Sequence, residues 1–597
     1  MPEIALTPNA LRVLEARYLR NNPTGQVVET PEAMFRRVAA HVAAVEKPYG
    51  ECPDAAAEAF YDAMARLEFL PNSPALMNAG TTLGQLAACF VLPVEDSLDR
   101  IFGTLHDAAL IQQTGGGVGY DFSQLRPAGD RVTSTGGSSS GPVSFMKAFD
   151  AAVEAVRQGG RRRGANMAVL DVHHPDIEAF VTAKRGSSVL RNFNLSVAVD
   201  DAFMQAAADG GEVTLRNPRT SQPAGQKRAA DLLHLVAECA WESGDPGVIF
   251  VDRINRDNPT PALGRITATN PCGEVPLLPY EACVLGSINL SALSVTGAFD
   301  WDRLDRLTDL GVRFLDDCID ASVFPLPEIA AGARGSRKIG LGVMGFADAL
   351  VDLGIPYDDD GAIRFAGDVM ARMAARAAEM SRALAATRGP HPHFARSRAA
   401  ALGQPPIRNA TRIAIAPTGS LSLIAGCSSG IEPLFAVAYE RHVLDGATLV
   451  EVNRRFEQLA TKQGVWTPDV QRKVVASGRV RDLSDIPPDI RRLFPTAHDI
   501  SPEQHIRVQA ACQAHVDNAV SKTVNLAAHA TVSQVEHAYR YAFERGCKGI
   551  TVYRHGARAG QVLAPITSSG LCPDCRTALE FSEGASLCRA CGFSSAV

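Results

Sequence analysis

Short apolar runs alternate along this chain with longer stretches whose apolar positions recur every three or four residues. The runs at 88–94, 168–172, 195–199, 248–251, 413–416 and 549–553 predict strands. The periodic stretches at 148–157, 229–241, 363–385 and 535–544 predict amphipathic helices. Before residue 71 the pattern is helical and charged, with Thr30 and Pro31 placed as a cap and a first-turn proline. After Arg558 a Gly/Ala/Pro/Ser-containing linker leads into a cysteine-rich tail. The expected organisation is a helical N-terminal segment (1–70), an α/β domain built as a sheet or barrel (71–560), and a linker with a small tail (561–597).

Composition narrows the class. The 597 residues are 46% hydrophobic and 21% charged, which is enough to bury a large core. A formal net charge of −6 gives no general attraction to nucleic acid or an anionic membrane. No signal peptide opens the chain, and no apolar run reaches the ~18 residues of a membrane span. Thirteen cysteines at this length are not a disulfide scaffold; they read as reduced, catalytic or metal-bound thiols of a cytoplasmic protein.

The most informative stretch is Asn270-Pro271-Cys272-Gly273-Glu274, with Cys283 eleven residues beyond Cys272. It places an amide, a thiol and a carboxylate within five residues, with a second thiol downstream. This set suits hydrogen-atom abstraction by a sulfur radical, assisted by a base that takes a proton from a neighbouring hydroxyl.

In the tail, Cys572-Pro-Asp-Cys575 and Cys588-Arg-Ala-Cys591 form two CxxC knuckles twelve residues apart. Four thiolates at this spacing fit a tetrahedral zinc site, and metal would supply much of so short a tail's folding free energy. Redox-active CxxC pairs are the alternative. Pro417-Thr418-Gly419-Ser420 follows the predicted strand at 413–416 and is either a phosphate cradle or an ordinary capped turn. Gly115 to Gly119 lacks full dinucleotide-loop spacing, and Gln158 to Gly164 is a strongly cationic loop. His173, His174 and Asp176 read as capping and packing residues rather than metal ligands.

Taken together, the motifs resemble a ribonucleotide reductase catalytic subunit, most of all the adenosylcobalamin-dependent class. The resemblance rests on 71–80 (PNSPALMNAG), 114–123 (TGGGVGYDFS), 159–167 (GGRRRGANM), NPCGE, 339–348 (IGLGVMGFAD), PTGS and 548–554 (KGITVYR). It implies a ten-stranded α/β barrel with the NPCGE loop threaded through its centre. It makes Cys272 the thiyl-radical cysteine, Glu274 the base at the 3′-hydroxyl, Asn270 the amide on the same ribose edge, and Cys89 with Cys283 the reducing pair. Substrate contacts are implied for Ser73, Ala88, Cys89 and Asn270, and phosphate contacts for Pro417, Thr418, Gly419 and Ser420. Asp96, Ser97 and Arg131 match an effector site for deoxynucleoside triphosphates or ATP at a homodimer interface, and Gly160, Arg161 and Arg162 a specificity loop.

Elimination within the family points to the same radical source. No adjacent tyrosine pair occurs near the C-terminus, since Tyr539 and Tyr541 are separated and Tyr553 stands alone; no Arg-Gly-Tyr glycyl-radical motif is found. Adenosylcobalamin needs neither. The resemblance implies ribonucleoside diphosphate substrates, a thioredoxin- or glutaredoxin-type reductant and zinc in the tail. In a departure from larger relatives, the N-terminal segment lacks the pattern of an ATP-cone, so overall on/off control by ATP and dATP is not expected. The alternatives are a reductase fed by a partner's radical and a non-catalytic nucleotide-binding regulator.

Overall fold

The computed structural model describes residues 4–133, 136–157, 165–186, 189–295, 297–442 and 448–557, and three short strands between 580 and 596. Three helices with proline at their first positions, Pro8–Arg17, Pro31–Ala43 and Pro53–Ala65, form the N-terminal region. Thr7 and Thr30 cap the first two, accepting from the N–H groups of Ala10 and Ala33. Proline costs nothing there, because the first-turn N–H has no helical partner. Met34, Phe35, Val38 and Val42 form the buried stripe of the second helix.

Ten strands form the main sheet: β1 (Phe69–Pro71), β2 (Cys89–Pro93), β3 (Gly117–Asp121), β4 (Asn166–Asp171), β5 (Phe193–Val199), β6 (Gly247–Phe250), β7 (Ala282–Asn289), β8 (Ile339–Met344), β9 (Thr523–Leu526) and β10 (Gly549–Arg554). β2 to β6 run parallel to one another. β7 runs parallel to β8, residues 413–415 bridge in parallel from Leu341 to Val520, and β9 continues into β10. The two parallel halves meet antiparallel at β2/β7 and β6/β10, which closes a barrel. β1 pairs only with the far end of β7.

Period-2 alternation sorts the side chains. Cys89, Val91, Met167, Val169, Ala198, Ile249, Cys283 and Leu285 belong to an inner cluster, while Phe90, Leu92, Ala168, Leu170 and Val284 join the outer core beneath the helices. Burial on both faces is why these strands read as continuous apolar runs.

The predicted strands at 88–94, 168–172, 195–199 and 549–553 fall within two residues of β2, β4, β5 and β10. Val251 is instead the first residue of a helix, and 413–416 forms isolated bridges rather than a full ladder. The glycine-rich β3 and β8 carry no strand signature of their own: a Cβ on Gly119 would lie 1.8 Å from the Thr269 carbonyl oxygen, and one on Gly342 2.2 Å from that of Ala414. These glycines make room for neighbouring backbone.

Candidate active site

The hairpin 268–277 crosses the barrel interior. Thr269 pairs with Pro276 and Ala268 with Leu277, leaving residues 270–275 as its tip. One side lies against β3, where Gly117 and Gly119 admit Pro271 and Thr269. Asn194 of β5 donates to the Pro271 carbonyl at 2.8 Å, and the Ala519 N–H donates to the Glu274 carbonyl at 2.8 Å. The tip is thus tied to both halves of the barrel. Gly273, at φ 83°, makes the turn a side chain would strain, and its N–H closes onto the Asn270 carbonyl.

Within the tip, Asn270 and Glu274 are buried, whereas Cys272 is exposed. The Asn270 side-chain oxygen accepts from the Val275 N–H at 3.0 Å, which fixes the amide's orientation, and its nitrogen donates to the Cys89 sulfur at 3.1 Å. Cys89 and Cys283 are direct register partners across the antiparallel β2/β7 seam. Directly opposed antiparallel residues hold their Cβ atoms about 4.5–5.5 Å apart, and a small approach brings them to the ~3.8 Å of a disulfide. Burial pushes both thiols well up; the Glu274 charge adds to the effect at Cys89, while Lys338 opposes it at Cys283. Both are therefore protonated thiols at neutral pH, able to give a proton to a leaving group. Two residues set 194 positions apart thus meet beside a loop carrying a third thiol and a carboxylate.

The PTGS segment lies at the predicted strand-to-helix junction, with helix Gly419–Ala425 starting inside it. Thr418 adopts φ 55°, and its hydroxyl oxygen accepts from the Gly430 N–H at 2.8 Å, which ties the loop together and leaves the O–H to donate. Gly419 is exposed, with nothing within 4 Å of where a Cβ would lie. Ser73 begins helix Ser73–Asn78 and shares a 2.8 Å hydrogen bond with Tyr18, a residue nothing in its local sequence singles out. Ala88, beside Cys89, donates its N–H to the Cys283 carbonyl.

Asp96 is bound by the Arg126 side chain at 2.8 Å and by its N–H at 3.2 Å. Ser97 spends its hydroxyl as a cap, accepting from the Arg100 N–H. Arg131 is exposed and bridges to Ser138 across its loop. Gly160, Arg161 and Arg162, and the tail cysteines 572, 575, 588 and 591, lie outside the described residues. Among the described residues no group of three or more His, Cys, Asp or Glu is placed to hold a metal, and no helix is long and apolar enough to cross a membrane. His173 bonds Asp200 and the Thr214 carbonyl, and His174 the Leu125 carbonyl. Asp176 is the N-cap residue of helix Ile177–Val181, as expected, but its carboxylate takes the Ala128 N–H rather than its own helix's first turn.

Comparison with known proteins agrees with this geometry. The family model "Ribonucleotide reductase, barrel domain" matches residues 87–405 and 400–553, and "Ribonucleotide reductase, all-alpha domain" matches 4–84. The vitamin B12-dependent ribonucleoside-diphosphate reductase of Mycobacterium tuberculosis (strain ATCC 25618 / H37Rv) is 51% identical over 584 residues, covering 98% of this chain and 82% of its own. The protein of the same name from Thermoplasma acidophilum is 43% identical over 97% of this chain and 83% of its own. Among solved structures, the Actinobacillus ureae class Id ribonucleotide reductase alpha subunit superposes with a TM-score of 0.77 over 93% of this chain and 98% of that one, at 23% identity.

Proposed function

The chain belongs to the ribonucleotide reductase family, and we infer that it reduces ribonucleoside diphosphates to 2′-deoxyribonucleoside diphosphates by thiyl-radical chemistry dependent on adenosylcobalamin. The observation that carries this reading is the convergence of Cys272, Glu274 and Asn270 on one loop tip with the opposed thiols Cys89 and Cys283. The names of the relatives at 51% and 43% identity support the cofactor and the phosphate level.

Each side chain then has one task. Cys272, as a sulfur radical, takes the 3′-hydrogen of the ribose, and Glu274 accepts the 3′-hydroxyl proton. Asn270, its orientation fixed by Val275, holds the same ribose edge. The Cys89 thiol protonates the departing 2′-hydroxyl, which leaves as water. Cys89 and Cys283 give up two electrons and become a disulfide, the Cys283 hydrogen ending on C2′ where the hydroxyl left. The 3′-hydrogen returns from Cys272, and the proton held by Glu274 returns to the 3′-oxygen. The inner apolar cluster keeps water from the radical intermediates. Gly419 and Ser420, at the open start of their helix, receive the phosphates, while Ser73 and the backbone around Ala88 line the approach. Adenosylcobalamin, when bound, supplies the unpaired electron by breaking its cobalt–carbon bond. Of this chain's residues Cys272 fits such a group, being the thiol of the site that is exposed.

Effector binding near Asp96, Ser97 and Arg131 at a homodimer interface, base selection by the loop at 160–162, zinc in the tail and a thioredoxin- or glutaredoxin-type reductant belong to the same reading. The motifs and the tail's cysteine spacing support them. The test is anaerobic deoxynucleotide formation from CDP and from CTP, with dithiothreitol and mixed effectors, with and without adenosylcobalamin. Product from CDP that requires the cofactor is expected, and Cys272→Ser abolishes it while nucleotide binding persists. Turnover without the cofactor, or substantial turnover by the serine variant, overturns the reading.

A further inference from the structure

An ion pair lies beside Cys283 that none of these steps uses. Lys338 immediately precedes β8, and β8 runs parallel to β7 with Val284 opposite Ile339. One step back along that register, Lys338 comes opposite Cys283. Its side chain is wholly buried, and its ammonium donates to the Glu281 carboxylate at 2.5 Å. Glu281 is itself fixed by the Leu278 N–H at 2.9 Å. The adjoining Arg337 is locked by Asp316 at 2.8 Å and Asp320 at 2.7 Å, so the start of β8 has little freedom to shift.

A lysine is costly to bury, and apolar residues would fill this wall at lower cost. Here it gives the two thiols different electrostatic surroundings. Burial and the Glu274 carboxylate hold both thiols up, and Glu281 and Asp517 add to this at Cys283; the Lys338 charge opposes them at Cys283 and has no counterpart at Cys89. Access is asymmetric too. Cys89 is bonded to Asn270 on the loop whose tip exposes Cys272, while the Cys283 sulfur, 3.7 Å from where a Cβ on Gly340 would lie, is fully buried beside β8.

We propose that Lys338 is a positioning residue that sets the direction in which the Cys89–Cys283 disulfide is reopened, with a dithiol reductant attacking Cys89 and Cys283 departing as the thiolate opposite the Lys338 ammonium. This rests on Cys89 and Cys283 being the reducing pair. The reductant's thiolate bonds to the Cys89 sulfur; the bond to Cys283 breaks, and its electron pair stays on Cys283. The reductant's second thiol then displaces Cys89. The reductant ends as a disulfide, and its two protons end on Cys89 and Cys283. Thiol–disulfide exchange quickens as the leaving thiol becomes more acidic, and a neighbouring ammonium has that effect.

The full-length protein is taken through one turnover without reductant, and the disulfide is mapped by peptide mass spectrometry. The oxidised enzyme is then opened with excess 2-mercaptoethanol, and the cysteine bearing the mixed disulfide is identified as a function of pH. The adduct is expected on Cys89. Lys338→Met is expected to slow opening by about tenfold or more and to spread the adduct over both sulfurs, and Lys338→Arg to restore rate and position. Because Lys338→Met strands the Glu281 carboxylate, Glu281→Gln/Lys338→Met is measured alongside; it keeps the wall neutral and is expected to show the same slow, unselective opening. A Cys283 adduct in the native protein, or native rate and selectivity in the double variant, overturns the role of Lys338. Absence of a Cys89–Cys283 disulfide after turnover overturns the reducing-pair reading itself, and this proposal with it.

Discussion

The side-chain nitrogen of Asn270 donates to the sulfur of Cys89 at 3.1 Å, across 181 positions of sequence. The same amide, through its oxygen, accepts from the Val275 N–H, so one residue shapes the loop tip and places a thiol. The two bonds can be separated. Asn270→Asp keeps an acceptor for Val275 and loses the donor to Cys89, so it should lose about 10²-fold in turnover. Its melting temperature should fall as pH rises, because a second carboxyl then ionises beside the buried Glu274. Asn270→Ala should lose comparable activity and also about 1–3 kcal/mol of stability, because a buried N–H is left unpaired. Thermal melting and single-turnover assays check both, and native turnover by the aspartate variant would remove Asn270 from the proposed chemistry.

Gly119 and Gly419 should behave oppositely towards alanine. At Gly119 the added carbon would overlap the Thr269 carbonyl at 1.8 Å, and backbone on both sides prevents relief. Gly119→Ala is expected to displace the hairpin, abolish turnover and cost about 3 kcal/mol or more, at or beyond the upper end of overpacking penalties. At Gly419 the carbon meets nothing. Gly419→Ala should leave the melting temperature within the range of a surface change, about ±0.5 kcal/mol, while raising KM for the nucleotide. An unchanged KM would argue against phosphate at this loop.

The thiols should separate by alkylation. Cys52 and Cys272 are exposed, whereas Cys89 and Cys283 are buried and held as thiols well above the ordinary cysteine range. Since the thiolate is the reacting form, iodoacetamide at pH 8 on the reduced protein should label Cys52 and Cys272 well before the opposed pair. Peptide mapping over time reads the order, and early labelling of Cys283 would contradict the buried seam.

His173 supplies a pH dependence outside the site. Its ring bonds the Asp200 carboxylate at 3.0 Å, and this pairing raises it from 6.5 to about 9. A group with its pKa raised in the folded state binds a proton that the unfolded chain releases earlier. Its stabilising contribution is therefore complete below about 6.5 and is lost as pH rises through about 9. His173→Gln should flatten the fall in melting temperature between those values; an unchanged slope would mean that the pair does not couple to unfolding.

Much of this protein is legible in its sequence, for local reasons. The helices announced themselves through period and caps, as at Thr30, and β2, β4, β5 and β10 through apolar runs that burial on both faces requires. The chemical inventory was equally local: NPCGE sets an amide, a thiol and a carboxylate on one tight turn. Strands β3 and β8 were not legible, because their glycines answer to a hairpin and a segment that arrive from far along the chain. Thr418 and Ser97 were legible as residues of interest, but the acceptance of the Gly430 and Arg100 N–H groups by their hydroxyl oxygens was visible only in the structure.

The sequence by itself thus determined which groups are present and which elements carry them, since periodicity, capping and turn chemistry act over a few residues. Only the tertiary structure decided that Cys89 faces Cys283, that Asn270 reaches Cys89, that Tyr18 bonds Ser73, and that Lys338 stands opposite one thiol and not the other. Those relationships depend on barrel closure, where two parallel halves meet at an antiparallel seam. Register across such a seam is set by packing the whole inner face, and no local stretch of sequence carries that information.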